Sequence, residues 1–210
     1  KERYWLETEE GRKRRLGTFE HPHLTRKTSS ARESNNILWD ITLDKRTYPY
    51  IEDHKVQGPI VFPGAGHVEL AISAARSSFG EKFEFLQDLN FTSALFLPDD
   101  GEPPHIQMDI SHDGGDYFIY TKPRSEDASW TMCSNGKINH IGDEFKPIEV
   151  NLKEIRKRVN IPVDVKRMHN ELLESGLYLG PSFKNIKNLY RSDGNWEALS
   201  EIEVDETIQS

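Results

Sequence analysis

The sequence predicts an α+β fold with antiparallel strands. One segment, 64–79, carries apolar residues at helical spacing and is built largely from glycine, alanine and serine. Several other segments alternate apolar and polar residues with a period of two, the mark of half-buried strands. Turn-forming clusters separate those segments, most clearly Asp113-Gly114-Gly115-Asp116 between two alternating runs. One helix among strands joined by short turns is the α+β arrangement, since βαβ crossovers would need a helix between each pair of strands.

The elements follow in chain order. Residues 1–20 read as a linker, and the basic run Arg12-Lys13-Arg14-Arg15 as a solvated part of it. Residues 25–36 are polar and rich in serine and asparagine, which predicts a mobile loop. Ile37, Trp39, Ile41 and Leu43 alternate with Leu38, Asp40 and Thr42, giving a strand with one heavily apolar face. After the helix, Phe83 and Phe85, then Leu89 and Phe91, predict a bulged or bent strand. Ile106, Met108 and Ile110 alternate cleanly, residues 117–121 return through the hairpin, and residues 130–133 and 136–141 continue the sheet. Residues 21–141 therefore form a first subdomain.

Residues 142–162 are charged and punctuated by proline, and are predicted to connect two subdomains, with a short helix over 152–159. In 163–210, Val165, Met168, Leu172 and Leu173 mark an amphipathic helix ending at Gly176, and residues 186–190 and 196–204 read as strands. Two strands and a short helix bury too little to stand alone.

The stretch 48–67 holds the candidate chemistry. The candidate base is His54; an imidazole in general has an unperturbed pKa of about 6.5, so a neutral histidine accepts a proton near pH 7. Ile60, Val61 and Phe62 offer an apolar wall, and desolvation favours the neutral ring. Gly58 and Pro59 force a bend, and Pro63 stops the extended segment. Beyond it Val68, Ala71, Ile72 and Ala75 recur at helical spacing, with Gly80 as the stop. A helix opening at Gly64 leaves unpaired N–H groups at its mouth, and such donors suit a carbonyl that gains negative charge as its α-proton leaves. A histidine among prolines is more often a turn or core residue, and the chemistry by itself leaves both readings open.

Composition narrows the field. A formal net charge of −8 argues against nucleic-acid binding, which needs a basic face. The single Cys133 permits no internal disulfide and suits a reducing, cytoplasmic setting; it reads as a small buried apolar residue. No apolar run approaches the roughly 20 residues of a membrane span. His21-Pro22-His23 lacks nearby carboxylate or thiolate partners and reads as a turn rather than a metal site. Gly64-Ala65-Gly66 is too short for a dinucleotide fingerprint. His67 reads as a satisfied core residue.

The pattern His54-x-x-x-Gly58-x-x-x-x-Pro63 resembles the histidine motif of dehydratase domains from modular type I polyketide synthases. Gly176-Leu177-Tyr178-Leu179-Gly180-Pro181-Ser182-Phe183 resembles that family's Gly-x-x-Tyr-Gly-Pro-x-Phe motif. His21-Pro22-His23-Leu24, residues 94–98 and residues 130–136 resemble lesser landmarks in the family's order. Arg3-Tyr4-Trp5-Leu6 resembles the linker that leaves an upstream acyltransferase domain.

The resemblance implies a hot-dog fold, in which a sheet wraps one central helix, and a double hot-dog whose second half is incomplete in these residues. It implies His54 as the catalytic base, and Gly58, Phe62, Pro63, Gly64, Leu179, Gly180, Pro181 and Phe183 as substrate-binding positions. The implied substrate is a 3-hydroxyacyl thioester on the phosphopantetheine arm of an acyl carrier protein, with no metal or other cofactor. The implied partners are that carrier protein, neighbouring synthase domains and a second copy of the chain. The family's general acid, an aspartate in an Asp-x-x-x-Gln/His motif, is expected beyond Ser210. Leu179 stands where the family motif has tyrosine and cannot donate that hydrogen bond. Two alternatives to the dehydratase therefore stay open: a non-catalytic structural domain, and a hot-dog isomerase that moves a double bond.

Overall fold

The structure is a computed structural model that describes residues 21–30, 36–111, 113, 115–125, 127–140, 150–194 and 196–203. The predicted linker over 1–20, part of the hairpin turn at Gly114 and most of the predicted connector lie outside the described residues. In chain order the strands are β1 (Leu24–Ser29), β2 (Ile37–Ile41), β3 (His54–Val56), β4 (Ile60–Val61), β5 (Phe83–Phe91), β6 (Phe96–Leu97) and β7 (His105–Ile110). They continue with β8 (Asp116–Lys122), β9 (Thr131–His140), β10 (Val159–Val163), β11 (Leu177–Leu179), β12 (Ile186–Ser192) and β13 (Ala198–Ile202). The α-helices are α1 (Gly64–Phe79), α2 (Leu152–Arg158) and α3 (Val165–Glu174).

The chain divides into two compact units. Among the described residues the first holds 21–44 and 62–140, and the second holds 45–61 and 150–203. This differs from the sequence boundaries in one segment, because 45–61 goes with the second unit rather than with 21–141.

In the first unit an antiparallel sheet runs in the order β1-β2-β7-β8-β9-β5. Its registers place Trp39 opposite Met108, Met108 opposite Ile119, Ile119 opposite Ser134, and Ser134 opposite Phe91. Trp39, Met108 and Ile119 are fully buried, so this row is the spine of the core. Helix α1 presents His67, Leu70, Ala71, Ala74 and Ala75 to the interior, at i, i+3, i+4, i+7 and i+8. That face is rotated from the predicted one, since Val68 and Ile72 are only half-buried.

Strands from across the sheet reach this one helix. The Lys27 ammonium on β1 donates to the Ser77 carbonyl at 3.3 Å, and Trp39 Nε1–H on β2 donates to Ser78 Oγ at 3.3 Å. His140 on β9 meets Phe79 edge-on at 5.0 Å, and Phe91 on β5 lies over the first turn. A sheet whose two margins touch the same helix must curl around it. Alanines on the buried face let the curled sheet approach closely.

The second unit carries an antiparallel sheet in the order β10-β12-β13, the two short helices, and a small ladder in which β3 lies between β11 and β4. Asn151 Oδ1 caps α2 by accepting from the Lys153 and Glu154 N–H groups, and Asp164 Oδ1 caps α3 by accepting from Arg167 N–H.

Two elements depart from the sequence reading. The stretch 25–36, read as a loop, contains all of β1 but its first residue, Leu24. Only Leu24 of that strand is buried, so the edge strand has too little alternation to register as one. The stretch 142–162, read as a connector with a short helix over 152–159, contains that helix as α2 but also the strand β10, which runs on to Val163. The proline in Val159-Asn160-Ile161-Pro162-Val163 disguised β10, and the strand tolerates it because β10 is a sheet edge.

Gly136 on β9 provides a test of the core. A Cβ there would lie 2.8 Å from the buried Tyr117 ring, 2.9 Å from Leu89 Cδ2 and 3.1 Å from the Gln87 carbonyl oxygen. Gly136→Ala is expected to destabilise the protein by about 1–3 kcal/mol through overpacking, read as a lower urea midpoint with an unchanged slope. An unchanged midpoint would contradict this packing.

Candidate active site

His54 opens β3 at the end of a 3₁₀ turn over Pro49–Asp53. Its Nδ1 lies 2.8 Å from the Val61 carbonyl oxygen. A carbonyl only accepts, so Nδ1 must carry the proton in the neutral ring, and Nε2 is then the basic nitrogen. Among the described residues Nε2 has no hydrogen-bond partner, and the ring is half-buried.

The hairpin between β3 and β4 sets this geometry. Gln57 and Gly58 both have positive φ, 54° and 110°, the pairing a tight two-residue hairpin turn requires. Val56 N–H donates to the Pro59 carbonyl at 3.0 Å and closes the turn. The chain then returns so that Val61 presents its carbonyl to His54. Gly58 therefore earns its identity from backbone conformation. A Cβ on it would meet nothing within 4 Å, but its φ is one that side-chain-bearing residues rarely adopt.

The second motif is docked on the same strand. Leu179 on β11 pairs directly with His54, and the Phe183 ring lies 5.5 Å from the imidazole, tilted by 54°. Tyr178 pairs with Lys55 and is exposed, so strand alternation turns it to the face opposite Leu179. Gly180 N–H donates to the Asp53 carbonyl at 2.7 Å, and Ser182 N–H donates to Asp53 Oδ2 at 2.9 Å. Pro181 begins the 3₁₀ turn that ends at Phe183. Gly176, with φ 93°, accepts Gln57 N–H at 2.7 Å and anchors the far end of the motif.

In the first unit the mouth of α1 is built from rings. Pro63 is the N-cap residue, and its carbonyl accepts from Gly66 N–H at 2.9 Å. Gly64 and Ala65 N–H have no backbone acceptor among the described residues, as expected for a first turn. Phe62 is buried, with its N–H on the Leu95 carbonyl at 2.9 Å, and its ring fills the space a side chain on Gly66 would need. Phe91 lies against Gly64, where a Cβ would stand 3.3 Å from its ring. His67 sits between these rings, 5.3 Å from Phe62 and 5.9 Å from Phe91, and its Nδ1 is 2.9 Å from Ser134 Oγ. Burial lowers the His67 pKa to about 4, so the ring is neutral near pH 7.

The predicted residues thus fall into two groups. His54, Leu179, Gly180, Pro181 and Phe183 come together around β3, with Gly58 at the hairpin tip. Phe62, Pro63 and Gly64 form the helix mouth. The sequence reading missed Asp53, the Val61 carbonyl, Phe91 and Ser134. A carboxylate directly before the motif histidine was a signal for Asp53. A lone serine in an otherwise apolar row was a signal for Ser134, legible only once the register is known. Cys133 is buried, and burial pushes its thiol up to about 11. Among the described residues, no three histidine, cysteine or carboxylate side chains converge as a metal site, and no helix is long and apolar enough to cross a membrane.

A curled antiparallel sheet around one small-residue helix defines a hot-dog domain, and solved structures of that class confirm it. The dehydratase domain of the CurF module of curacin polyketide synthase matches with a TM-score of 0.77 at 24% identity, over 90% of this chain and 68% of its own. The dehydratase domain of the terminal module of rifamycin polyketide synthase matches at 0.76 and 24%, over 92% and 70%. The chain belongs to the polyketide synthase dehydratase domains: the family model of that description matches residues 21–121. Among curated proteins, polyketide synthase GfsE of Streptomyces halstedii is 30% identical over 213 residues, covering 96% of this chain and 5% of that protein. The reducing polyketide synthase pksF of Alternaria solani is 26% identical over 219 residues, covering 90% of this chain and 10% of that protein. The chain thus spans a small fraction of these relatives.

The neutral His67 gives a pH prediction. Its folded pKa lies below the unfolded value, so the unfolded chain binds more protons between about pH 4 and 6.5, and stability must rise with pH across that window. The buried His23, lowered to about 4 by desolvation, acts in the same direction. Each imidazole contributes at most about 1.4 kcal/mol per pH unit there. Melting temperature is expected to fall from pH 7 to pH 4.5, and less steeply in His67→Gln. Equal slopes in the two proteins would show that His67 is not buried neutral.

Proposed function

We propose that this domain removes water from a 3-hydroxyacyl thioester carried on the phosphopantetheine arm of an acyl carrier protein, giving an α,β-unsaturated thioester. The observation that carries the reading is the bond from His54 Nδ1–H to the Val61 carbonyl, which leaves Nε2 as a lone-pair base on a half-buried ring. The α C–H bond breaks and its proton goes to Nε2. The electron pair forms the carbon–carbon double bond, and the C–O bond at the β-carbon breaks with the hydroxyl leaving as water. The proton for that hydroxyl is proposed to come from an aspartic acid outside residues 1–210. Negative charge builds on the thioester oxygen during the first step, and hydrogen-bond donors at that oxygen would stabilise it. The chemistry calls for no metal or nucleotide.

Membership of a synthase family supports neighbouring domains as partners, among them an upstream acyltransferase, and a homodimer of the synthase is part of the same proposal. The CurK dehydratase, 25% identical to this chain, is described as an inactive mutant when an aspartate becomes asparagine. That supports a carboxyl group as the second participant. One observation favours a second reading. Leu179 places an alkyl group beside His54, where the family motif has a tyrosine. A domain that moves a double bond, or one kept for architecture, would tolerate that loss.

In the full-length protein, His54→Ala is expected to lower turnover of a 3-hydroxyacyl thioester by about 10²–10⁴-fold, the usual contribution of a positioned base, with folding unchanged by circular dichroism. Undiminished turnover would remove His54 from the mechanism. Turnover of an enoyl thioester without turnover of the 3-hydroxyacyl thioester would establish the isomerase, and turnover of neither in the unsubstituted protein would establish the structural role.

A further inference from the structure

We propose that Asp53 is a positioning residue for His54: it seats the second motif on the histidine strand and so fixes the orientation of the imidazole. The inference rests on His54 acting as the base. Asp53 precedes His54 directly, at the end of the Pro49–Asp53 turn. Both of its acceptor groups are used by the segment that packs on the imidazole. Its carbonyl takes Gly180 N–H at 2.7 Å, and its carboxylate takes Ser182 N–H at 2.9 Å. The two bonds grip N–H groups two residues apart, and a third bond, Phe183 N–H to the Gly180 carbonyl at 3.0 Å, closes the 3₁₀ turn between them.

That turn carries Phe183, whose ring lies 5.5 Å from His54, and it follows Leu179, the direct strand partner of His54. The contact is tight enough to dictate sequence. Gly180 is buried, and a Cβ on it would overlap the Asp53 carboxylate. The glycine of the second motif is therefore explained by the aspartate beside the first. An ionised carboxylate is the stronger acceptor for a backbone N–H, and two bonds from one residue leave the turn little freedom to pivot. Without the carboxylate the turn keeps only the backbone bond from Gly180 N–H, Phe183 is free to shift off the ring, and Nδ1 is held less firmly on the Val61 carbonyl. The tautomer that makes Nε2 the base is then enforced less strongly.

The test uses the full-length protein and a 3-hydroxyacyl N-acetylcysteamine thioester. Asp53→Ala is expected to lower kcat about 10- to 100-fold with little change in KM, the scale of a reacting group displaced by about an ångström. The acid limb of the kcat/KM pH profile should shift as well. Asp53→Asn keeps an acceptor oxygen of the same reach and should restore most of the rate. Asp53→Ser, too short to reach Ser182 N–H, replaces Asp53→Ala if that variant does not fold. Carbethoxylation of His54 by diethyl pyrocarbonate, followed by peptide mass spectrometry, reads the ring without catalysis, and its pH dependence should move in Asp53→Ala and return in Asp53→Asn. Wild-type kcat, pH profile and carbethoxylation in Asp53→Ala would overturn the proposal. Full activity in His54→Ala would instead overturn the base assignment, and the carbethoxylation result would still decide whether Asp53 positions the ring.

Discussion

The hydrogen bond from His54 Nδ1–H to the Val61 carbonyl is the constraint on which the proposed chemistry depends. An imidazole has two nitrogens of similar basicity, and in water either carries the proton. A backbone carbonyl is a one-way partner, so the hairpin decides the question without any second titratable group. The decision costs little to maintain, because the carbonyl belongs to the return strand of the hairpin that begins with the histidine. A side-chain partner would bring its own pKa and its own rotamers, whereas a main-chain partner brings neither.

The first unit solves a different problem with the same economy. At the mouth of α1, glycine at 64 and 66 leaves space that side chains would take, and Phe91 and Phe62 occupy it. Rings packed so closely need a neighbour that neither pushes nor pulls them out of place. His67 meets both rings and is tied through Nδ1 to Ser134, the polar member of the row Trp39–Met108–Ile119–Ser134. A buried polar group is expensive unless paired, and the serine supplies that pairing on the strand the helix already packs against.

The parts legible in the sequence were those whose physics is local. The helix at 64–79, the alternating strands β2, β7 and β8 and the bulge in β5 follow from periodicity and turn chemistry, and the structure bears them out. His54 and the second motif were found by pattern, and their pairing through β3 and β11 accounts for why both patterns exist. Elements whose stability comes from elsewhere were missed. β1 is held by pairing with β2 rather than by burial of its own side chains. β10 hides behind a proline that an edge strand tolerates. Strands as short as β3, β4 and β11 leave no period to detect. Asp53, Val61 and Ser134 act through partners distant in sequence or through backbone atoms, and neither leaves a mark on composition.

The spacing of the histidine motif can be read as backbone geometry. His54 starts a strand that ends at Val56, a two-residue turn with both φ positive follows, and the return strand ends at Val61. Four residues after His54 is the place where the turn demands its left-handed glycine, which fixes Gly58. Seven residues after His54 is the place where the return strand presents the Val61 carbonyl to the ring. Nine residues after it is Pro63, whose φ of −68° and ψ of 148° give the extended N-cap from which α1 departs. Inserting one residue before Val61 would reverse which faces of the return strand point inward and turn its carbonyl away from His54. The fixed intervals in the motif therefore record the reach of one hairpin and the start of one helix, and the only residue among them that needs its side chain for the proposed chemistry is the histidine.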